Sequence, residues 1–287
     1  MRARGFTLLE LIVALVLASA IVLSAHKLLV GIRRLQLQQS ERAHVNATLR
    51  TAISILPLEL GELNAADTAS SDILAMSNGS ITYKAMRTLD FVCAKPVGQA
   101  DSGTVVLWGE PSFGMRQLNA ERDSVLLHGR LDAPPPDDEL WVRGNVQRLS
   151  LGTACPGHAP SVTLTLNGVR PPDGLQHITV GAPVRGFELV RVSAYRDAGG
   201  VVWLGVRQFN KLSGWSTTQP VLGPLQAEGL RFEYFDASGS QTSTQGNVAG
   251  IGISVLGQSR VPVKALGRHV HLQDTLVAYV ALRNNGH

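Results

Sequence analysis

The sequence predicts an α+β protein in which one long N-terminal helix packs on an antiparallel, β-rich globular domain. Two observations lead to this fold class. An apolar run near the N-terminus continues, with no proline before Pro57, into residues with helical spacing. Beyond a loop predicted over residues 64–80, the pattern changes to short, often alternating strands separated by turn formers. The predicted parts are a leader (1–5), a membrane-spanning helix (6–27), its amphipathic continuation (28–62) and a β-rich domain (65–287).

The apolar run extends from Phe6 to Ala25, and Glu10 is its only ionisable side chain. At about 1.5 Å per residue, a helix over this run is roughly 30 Å long, which matches the hydrocarbon core of a bilayer. Arg2 and Arg4 precede it, and basic flanks favour the cytoplasmic side of a membrane. The run is therefore long enough to span a membrane, with the rest of the chain exported.

An ordinary secretory signal is the alternative interpretation, because Ala18-Ser-Ala20 and Leu23-Ser-Ala25 offer small residues for cleavage. Glu10 argues against it, since an acid in hydrocarbon costs about 2.5 to 3.5 kcal/mol near a helix centre and needs a partner. Cleavage between Gly5 and Phe6 would place a new ammonium one helical turn from Glu10. That ammonium, in the same chain or a neighbouring one, is a suitable partner for the carboxylate.

The helical pattern continues beyond the run, with apolar residues at spacings of three and four. One stripe contains Leu28, Ile32 and Leu35, and a second is formed by Val45, Leu49, Ile53 and Leu56. We expect the second stripe to face the protein's own sheet, and the helix to end between residues 56 and 64. Residues 64–80 are small and polar and are predicted to form a loop.

The following strands are short and β-branched or aromatic, and two long strands over residues 248–256 and 275–282 are predicted to close the domain. Turn signals separate the strands at Pro134–Asp138, Asn167-Gly168, Asp173-Gly174, Asp197–Gly200 and Asp236–Gly239. This pattern predicts an antiparallel arrangement.

The chain has two cysteines, Cys93 and Cys155, both on the exported side of the predicted span. An oxidising compartment favours a disulfide between them, and the alternative is two buried or unpaired thiols. A formal net charge of +4, spread without a basic cluster, argues against a nucleic-acid partner.

Catalytic motifs for nucleophilic, nucleotide-dependent or zinc chemistry are not found in the sequence. Two weak candidates for ion binding remain. His269 and His271 lie on one face of a strand without a visible third ligand. Asp236 with Ser238, Gly239 and Ser240 offers oxygens to calcium, although a turn explains the same residues. We therefore predict no metal, no cofactor and no catalytic site.

The segment Gly5-Phe6-Thr7-Leu8-Leu9-Glu10 resembles the cleavage and methylation motif of type IV pilins and type II secretion pseudopilins. The resemblance implies cleavage after Gly5 by a prepilin peptidase, N-methylation of Phe6 and a role for Glu10 in assembly. Weaker similarities at Leu222–Gly239, Ile251–Leu256 and Val280–Asn284 are to PilW-type minor pilins, and the first of these also to J-type minor pseudopilins.

The resemblance thus implies a minor pilin or pseudopilin, a structural subunit of a type IV pilus or a type II secretion pseudopilus. Its expected partners are other pilins or pseudopilins, the prepilin peptidase and the bacterial inner membrane. It is expected to cross the inner membrane once, with its C-terminal domain in the periplasm, or to be part of the filament. The alternative, from another functional class, is an exported enzyme or binding protein tethered by an ordinary signal anchor.

Overall fold

The computed structural model describes residues 8–65, 71–110, 112–132, 139–265 and 268–282. Helix α1 covers Leu8–Gly61, 54 residues without interruption. At about 1.5 Å per residue this helix is roughly 80 Å long. The prediction of one continuous helix is confirmed, and its end at Gly61 lies within the predicted interval.

The described residues after α1 form strands joined mostly by short turns. These strands are β1 (Ile73–Ser77), β2 (Ser80–Gln99), β3 (Ser102–Trp108), β4 (Phe113–Gly114), β5 (Ser124–Arg130), β6 (Glu139–Gly152), β7 (Ser161–Arg170), β8 (Pro183–Arg196), β9 (Val202–Asn210), β10 (Gly214–Trp215), β11 (Gln219–Phe235), β12 (Gly250–Gln258), β13 (Val263–Ala265), β14 (Arg268–Val270) and β15 (Gln273–Ala281). Short 3-10 helices cover Pro156–His158, Gly174–His177 and Gln245–Asn247. All paired strands are antiparallel, which confirms the α+β fold class.

The β region has two parts, an open sheet and a closed barrel. The two long strands β2 and β8 belong to both parts. The first part of β2 pairs with β1 and β8, and the sheet continues in the order β8-β9-β11-β12-β15. The last part of β2 pairs with β3, and the pairing then runs β3-β7-β6-β5 and returns to β8. Because β8 also pairs with β2, these six strands form a closed barrel, while the first set forms an open sheet.

The open sheet and α1 enclose the larger core. The helix contributes Val45, Leu49, Ala52, Leu56 and Leu60, all of them buried. These residues pack against β11, β12 and β15. At Gly257 in β12 the helix comes so close that an added Cβ would lie 3.2 Å from Val45 and 3.3 Å from Leu49. The second apolar stripe therefore packs on the protein's own sheet, as predicted.

The barrel encloses a separate apolar core made by inward-facing residues of its strands, among them Val105, Val125, Val142, Leu164 and Val184. A disulfide joins Cys93 on β2 to Cys155 in the connection between β6 and β7, with a Cα–Cα distance of 5.5 Å. It closes a loop of 62 residues within the barrel region, which on the chain-entropy model stabilises the fold by about 4 kcal/mol.

The predicted loop over residues 64–80 is wrong in part, because β1 lies inside it. Ile73 at the start of β1 is buried and pairs with Tyr83. The neighbouring Asp72 forms a buried ion pair with Lys84 at 3.3 Å. Pairing with the next strand across a short turn therefore outweighed the small, polar composition of this segment.

The turn predicted at Asn167-Gly168 is also wrong. Both residues lie within β7, and the register against β6 changes there, from Arg143↔Arg170 to Asn145↔Asn167. This step places one extra residue in β7, which defines a β-bulge, and Gly168 adopts the positive φ of 59° that such a position favours. The turns at Asp197–Gly200 and Asp236–Gly239 are present between or after strands. Pro134–Asp138 lies outside the described residues.

Candidate assembly helix

The first half of α1 is almost completely exposed. From Leu8 to Ser40, every residue is exposed except Val30 and Gln38, which are half-buried. Large apolar side chains dominate this surface, and Leu17, for example, is 60% exposed. Among the described residues, α1 is the one helix that is long and apolar enough to cross a membrane. This half of the helix therefore has no apolar cover from the part of the chain that the structure describes.

The two serines within the apolar run are compatible with an apolar environment. The hydroxyls of Ser19 and Ser24 donate to the backbone carbonyls of Val16 and Ala20, each at 2.8 Å. Hydroxyls satisfied in this way leave no unpaired donor toward lipid. Glu10 lies exposed in the first turn of the described helix. Gly5 and Phe6, the predicted processing residues, lie outside the described residues.

The second half of α1 is held to the sheet by polar contacts as well as by its apolar stripe. Glu41 is 8% exposed, and its carboxylate accepts a hydrogen bond from the backbone N–H of Arg260 at 2.7 Å. The Arg260 guanidinium donates to Nε2 of His44 at 2.9 Å. Glu41 is thus the residue at which the helix passes from the exposed half to the docked half.

Comparison with protein families identifies the N-terminal segment. Residues 1–25 match the model described as the prokaryotic N-terminal methylation motif. The chain carries the signature of type IV pilins and pseudopilins. No curated protein and no solved structure matches the chain. The motif implies processing by a prepilin peptidase and pilin-type assembly, and together with the apolar helix it fits a membrane-anchored, pilin-like protein.

A buried ionic network connects the docked half of the pilin-like helix to both parts of the β region. Glu59 of α1 accepts from Arg87 of β2 at 2.7 Å, and Arg87 also donates to Glu188 of β8 at 2.6 Å. Arg116 bridges Glu188, at 3.1 Å, to Asp123, at 2.6 Å. Glu188 and Asp123 are almost fully buried, so their charges depend on these arginines.

Burial and pairing shift the pKa values of this network in opposite directions. Burial of Arg87 opposes its charged form, but the hydrogen bonds that it donates to Glu59 and Glu188 outweigh burial and raise its pKa. Burial, followed by the charge of Glu59, raises the pKa of Tyr83, whose hydroxyl donates to Glu59 at 3.2 Å. The Arg87 guanidinium therefore remains charged at any physiological pH and serves as the fixed centre of the network.

Lys211 lies at the barrel end of this network, beside Asp123. Its ammonium donates to three backbone carbonyls, those of Ala120, Asp123 and Val146. Burial lowers the pKa of Lys211 to about 8. The ammonium thus fixes the start of β5 against β6 at the cost of partial desolvation.

Of the two candidates for ion binding, His271 and Asp236 have structural partners. His271 contacts the backbone oxygen of Ser259 through Nδ1 at 2.8 Å, and His269 is exposed on β14. One carboxylate oxygen of Asp236 accepts from the Ser238 hydroxyl at 2.6 Å and from the Ser238 and Ser240 backbone N–H groups. The pKa of Asp236 is lowered, and the hydrogen bond from the Ser238 hydroxyl is the main cause. Asp236 therefore has a turn-forming role in the structure.

Sequence reasoning did not find the buried carboxylates Asp123 and Glu188 or their half-buried partners Glu59, Arg87 and Arg116. Their partners are up to 101 residues apart in sequence, and each looks like an ordinary solvated charge in its own segment. Glu188 carried one weak signal, because it interrupts the apolar segment Phe187–Val192 of a strand.

Proposed function

We propose that this chain is a minor pilin or pseudopilin, a structural subunit and not an enzyme. In this proposal it is cleaved after Gly5, methylated at Phe6 and inserted in the bacterial inner membrane with its β region in the periplasm. From there it enters a type IV pilus or a type II secretion pseudopilus. The observation that carries the proposal is the exposed apolar half of α1, which directly follows the matched motif and continues into a docked half.

The physical argument concerns what covers residues 8–40. Apolar patches of this size are rare on soluble monomers and indicate a membrane or a protein interface. Lipid can cover the apolar surface before assembly, and the corresponding helices of neighbouring subunits can cover it afterwards. Because α1 is continuous through Gly61, a helix drawn into a filament also carries the β region with it.

Glu10 has a specific role in this proposal. A carboxylate in hydrocarbon is expensive, and an ammonium at a cleaved N-terminus, one turn away along the helix, is a partner of opposite charge. When subunits pack side by side, the Phe6 ammonium of one subunit and Glu10 of the next can pair. This pairing would fix the axial position of each helix relative to its neighbour.

Two variants test the proposal. Gly5→Ala is expected to block cleavage, and Glu10→Ala is expected to leave cleavage intact while preventing incorporation into a filament. The matched control is Glu228→Ala, which removes an exposed carboxylate from the β region. Sheared filaments are probed for the subunit, and the β region is checked for folding by protease resistance. Normal incorporation of both Gly5→Ala and Glu10→Ala would contradict the proposal.

Mass spectrometry of the mature N-terminus separates the proposal from an exported protein tethered by an ordinary signal anchor. A chain that begins with N-methylated Phe6 is the expected result. A chain that begins after Ala20 or Ala25, or an uncut chain, would overturn it. Deletion of the gene, followed by separate assays for surface pili and for protein secretion, then distinguishes the two machines.

A further inference from the structure

The two ends of the six-stranded barrel are closed differently. At one end, Leu175 of a 3-10 helix fills the space beside Gly98 and Gly103, where an added Cβ would approach its Cδ1 to 2.9 Å and 2.5 Å. Ile178 is buried beside it in the barrel core. These residues form an apolar plug, so this end has no room for a ligand.

The opposite end contains a cavity of about 480 Å³. It lies where β3 ends, where β6 ends and β7 begins, and beneath the segment that contains Leu118. Its volume is in the usual range for small-molecule sites, about 300 to 1,000 Å³. Apolar side chains form much of its wall, including those of Leu107, Leu118, Leu149 and Val162.

One carboxylate is buried in this wall. Asp90 of β2 is 5% exposed and lines the cavity. It alternates with Val92, a residue of the barrel core, and therefore lies on the inner face of the strand. Among the described residues, its carboxylate has no ion pair and no hydrogen-bond partner. Because this carboxylate has no partner of its own among the described residues, a ligand that supplies a positive charge gains a charge-assisted hydrogen bond there.

The other polar groups of the cavity define the sign of that ligand. Glu110 is exposed at the cavity and adds a second carboxylate. No Lys or Arg is found among the described residues that line the cavity. No group of three or more His, Cys, Asp or Glu side chains among the described residues is arranged to hold a metal ion. The charge therefore favours an organic cation over a coordinated metal.

We propose that this cavity binds a small organic cation, an ammonium group on an apolar body. The ammonium pairs with Asp90 inside the barrel mouth, and the apolar body contacts Leu118, Leu149 and Val162. The site lies in the barrel and not on α1, so this inference is independent of the proposed assembly role.

The test uses the full chain in nonionic detergent and phenethylammonium as the probe, with the neutral isostere 2-phenylethanol as the matched ligand. Calorimetric titration is expected to show saturable binding of the ammonium and at least tenfold weaker binding of the alcohol. Asp90→Asn is expected to weaken ammonium binding roughly 10- to 100-fold, because a charge-assisted hydrogen bond is lost. Asp101→Asn, at an exposed carboxylate elsewhere on the barrel, is the control and should leave it unchanged.

A second variant keeps the proposal falsifiable if Asp90→Asn does not fold. Gly152 lines the cavity, and a Cβ added there meets only the Ser161 hydroxyl at 3.7 Å, so Gly152→Leu can occupy the cavity without a backbone clash. This variant should also abolish binding. Equal affinity for the ammonium and the alcohol, binding that survives Gly152→Leu, or no saturable binding by the unmodified chain would each overturn the proposal.

Discussion

Residues 8–40 and residues 41–61 belong to one uninterrupted helix but have opposite surroundings. In the first region nearly every side chain is exposed, although most are apolar. In the second region a stripe of apolar side chains is buried on the sheet, and Glu41 and Glu59 form partly buried polar contacts at either end of it. The comparison shows that helical structure extends across both regions, while only the second region of the helix packs on the folded domain and contributes to its stability. The first region is left free to contact lipid or other chains.

Among the variants that test this difference, Arg87→Ala has the largest expected effect. The change removes the partner of Glu59 and of Glu188, which is 1% exposed, and leaves a buried carboxylate without its main charge partner. We expect a loss of about 3 to 5 kcal/mol in the free energy of unfolding, measured with denaturant on the full chain in nonionic detergent. Arg33→Ala, in the exposed half, should change it by less than about 0.5 kcal/mol. Similar small losses for both variants would show that the docked half does not depend on the network.

Leucine truncation compares the apolar contacts of the two halves directly. Leu49 is 0% exposed and Leu17 is 60% exposed. Leu49→Ala should lower the free energy of unfolding by about 2 to 5 kcal/mol, because it leaves a cavity between α1 and β12. Leu17→Ala should leave this free energy almost unchanged in the same unfolding measurement. A comparable loss at both positions would mean that residues 8–40 also pack on the folded domain.

The exposed half was predictable because its signal is local. Twenty consecutive residues with one acid, and spacings of three and four after them, fix a helix without any knowledge of the rest of the chain. The docked face was also predictable, since Val45, Leu49 and Leu56 follow helical spacing. The strand over Ile73–Ser77 was missed because its stability comes from pairing with residues that follow a turn.

The barrel and the buried ionic network were not predictable for a related reason. Closure of the barrel depends on β8 pairing with β2, about a hundred residues earlier, and nothing in either strand specifies that partner. The roles of Arg87 and Asp90 depend in turn on this closure, which buries one side chain in a network and the other in a cavity. Sequence patterns describe which face of a strand is apolar but not which distant strand covers it.

Glu41 provides a smaller test at the boundary between the two halves. Glu41→Ala removes the acceptor of the Arg260 backbone N–H and should cost about 1 to 2 kcal/mol in the free energy of unfolding. Glu41→Gln keeps an acceptor oxygen at the same place and should recover most of this loss. Hydrogen exchange at the Arg260 amide checks the mechanism, since it should be faster in the alanine variant alone. Equal exchange in both variants would mean that the contact does not protect the amide.

The smallest expected effect is a pH dependence confined to the β region, at the far end of the network that begins on the docked half. Burial lowers the pKa of Lys211 to about 8, below the usual value of 10.5. Between these two values the unfolded chain binds the proton and the folded chain has released it, so the free energy of unfolding should rise with pH. Because Lys211 is partly exposed, we expect a gain below about 1 kcal/mol from pH 7.5 to pH 9.5.

Lys211→Met removes this titration and should give a flatter profile of unfolding free energy against pH, whereas Lys27→Met, in the exposed half, should retain the slope of the unmodified chain. The measurement is denaturant unfolding at closely spaced pH values. Equal slopes in Lys211→Met and the unmodified chain would show that Lys211 keeps its proton throughout this range. Its three carbonyl partners would then hold the charged form more strongly than burial disfavours it, and the network would end on a permanently charged residue.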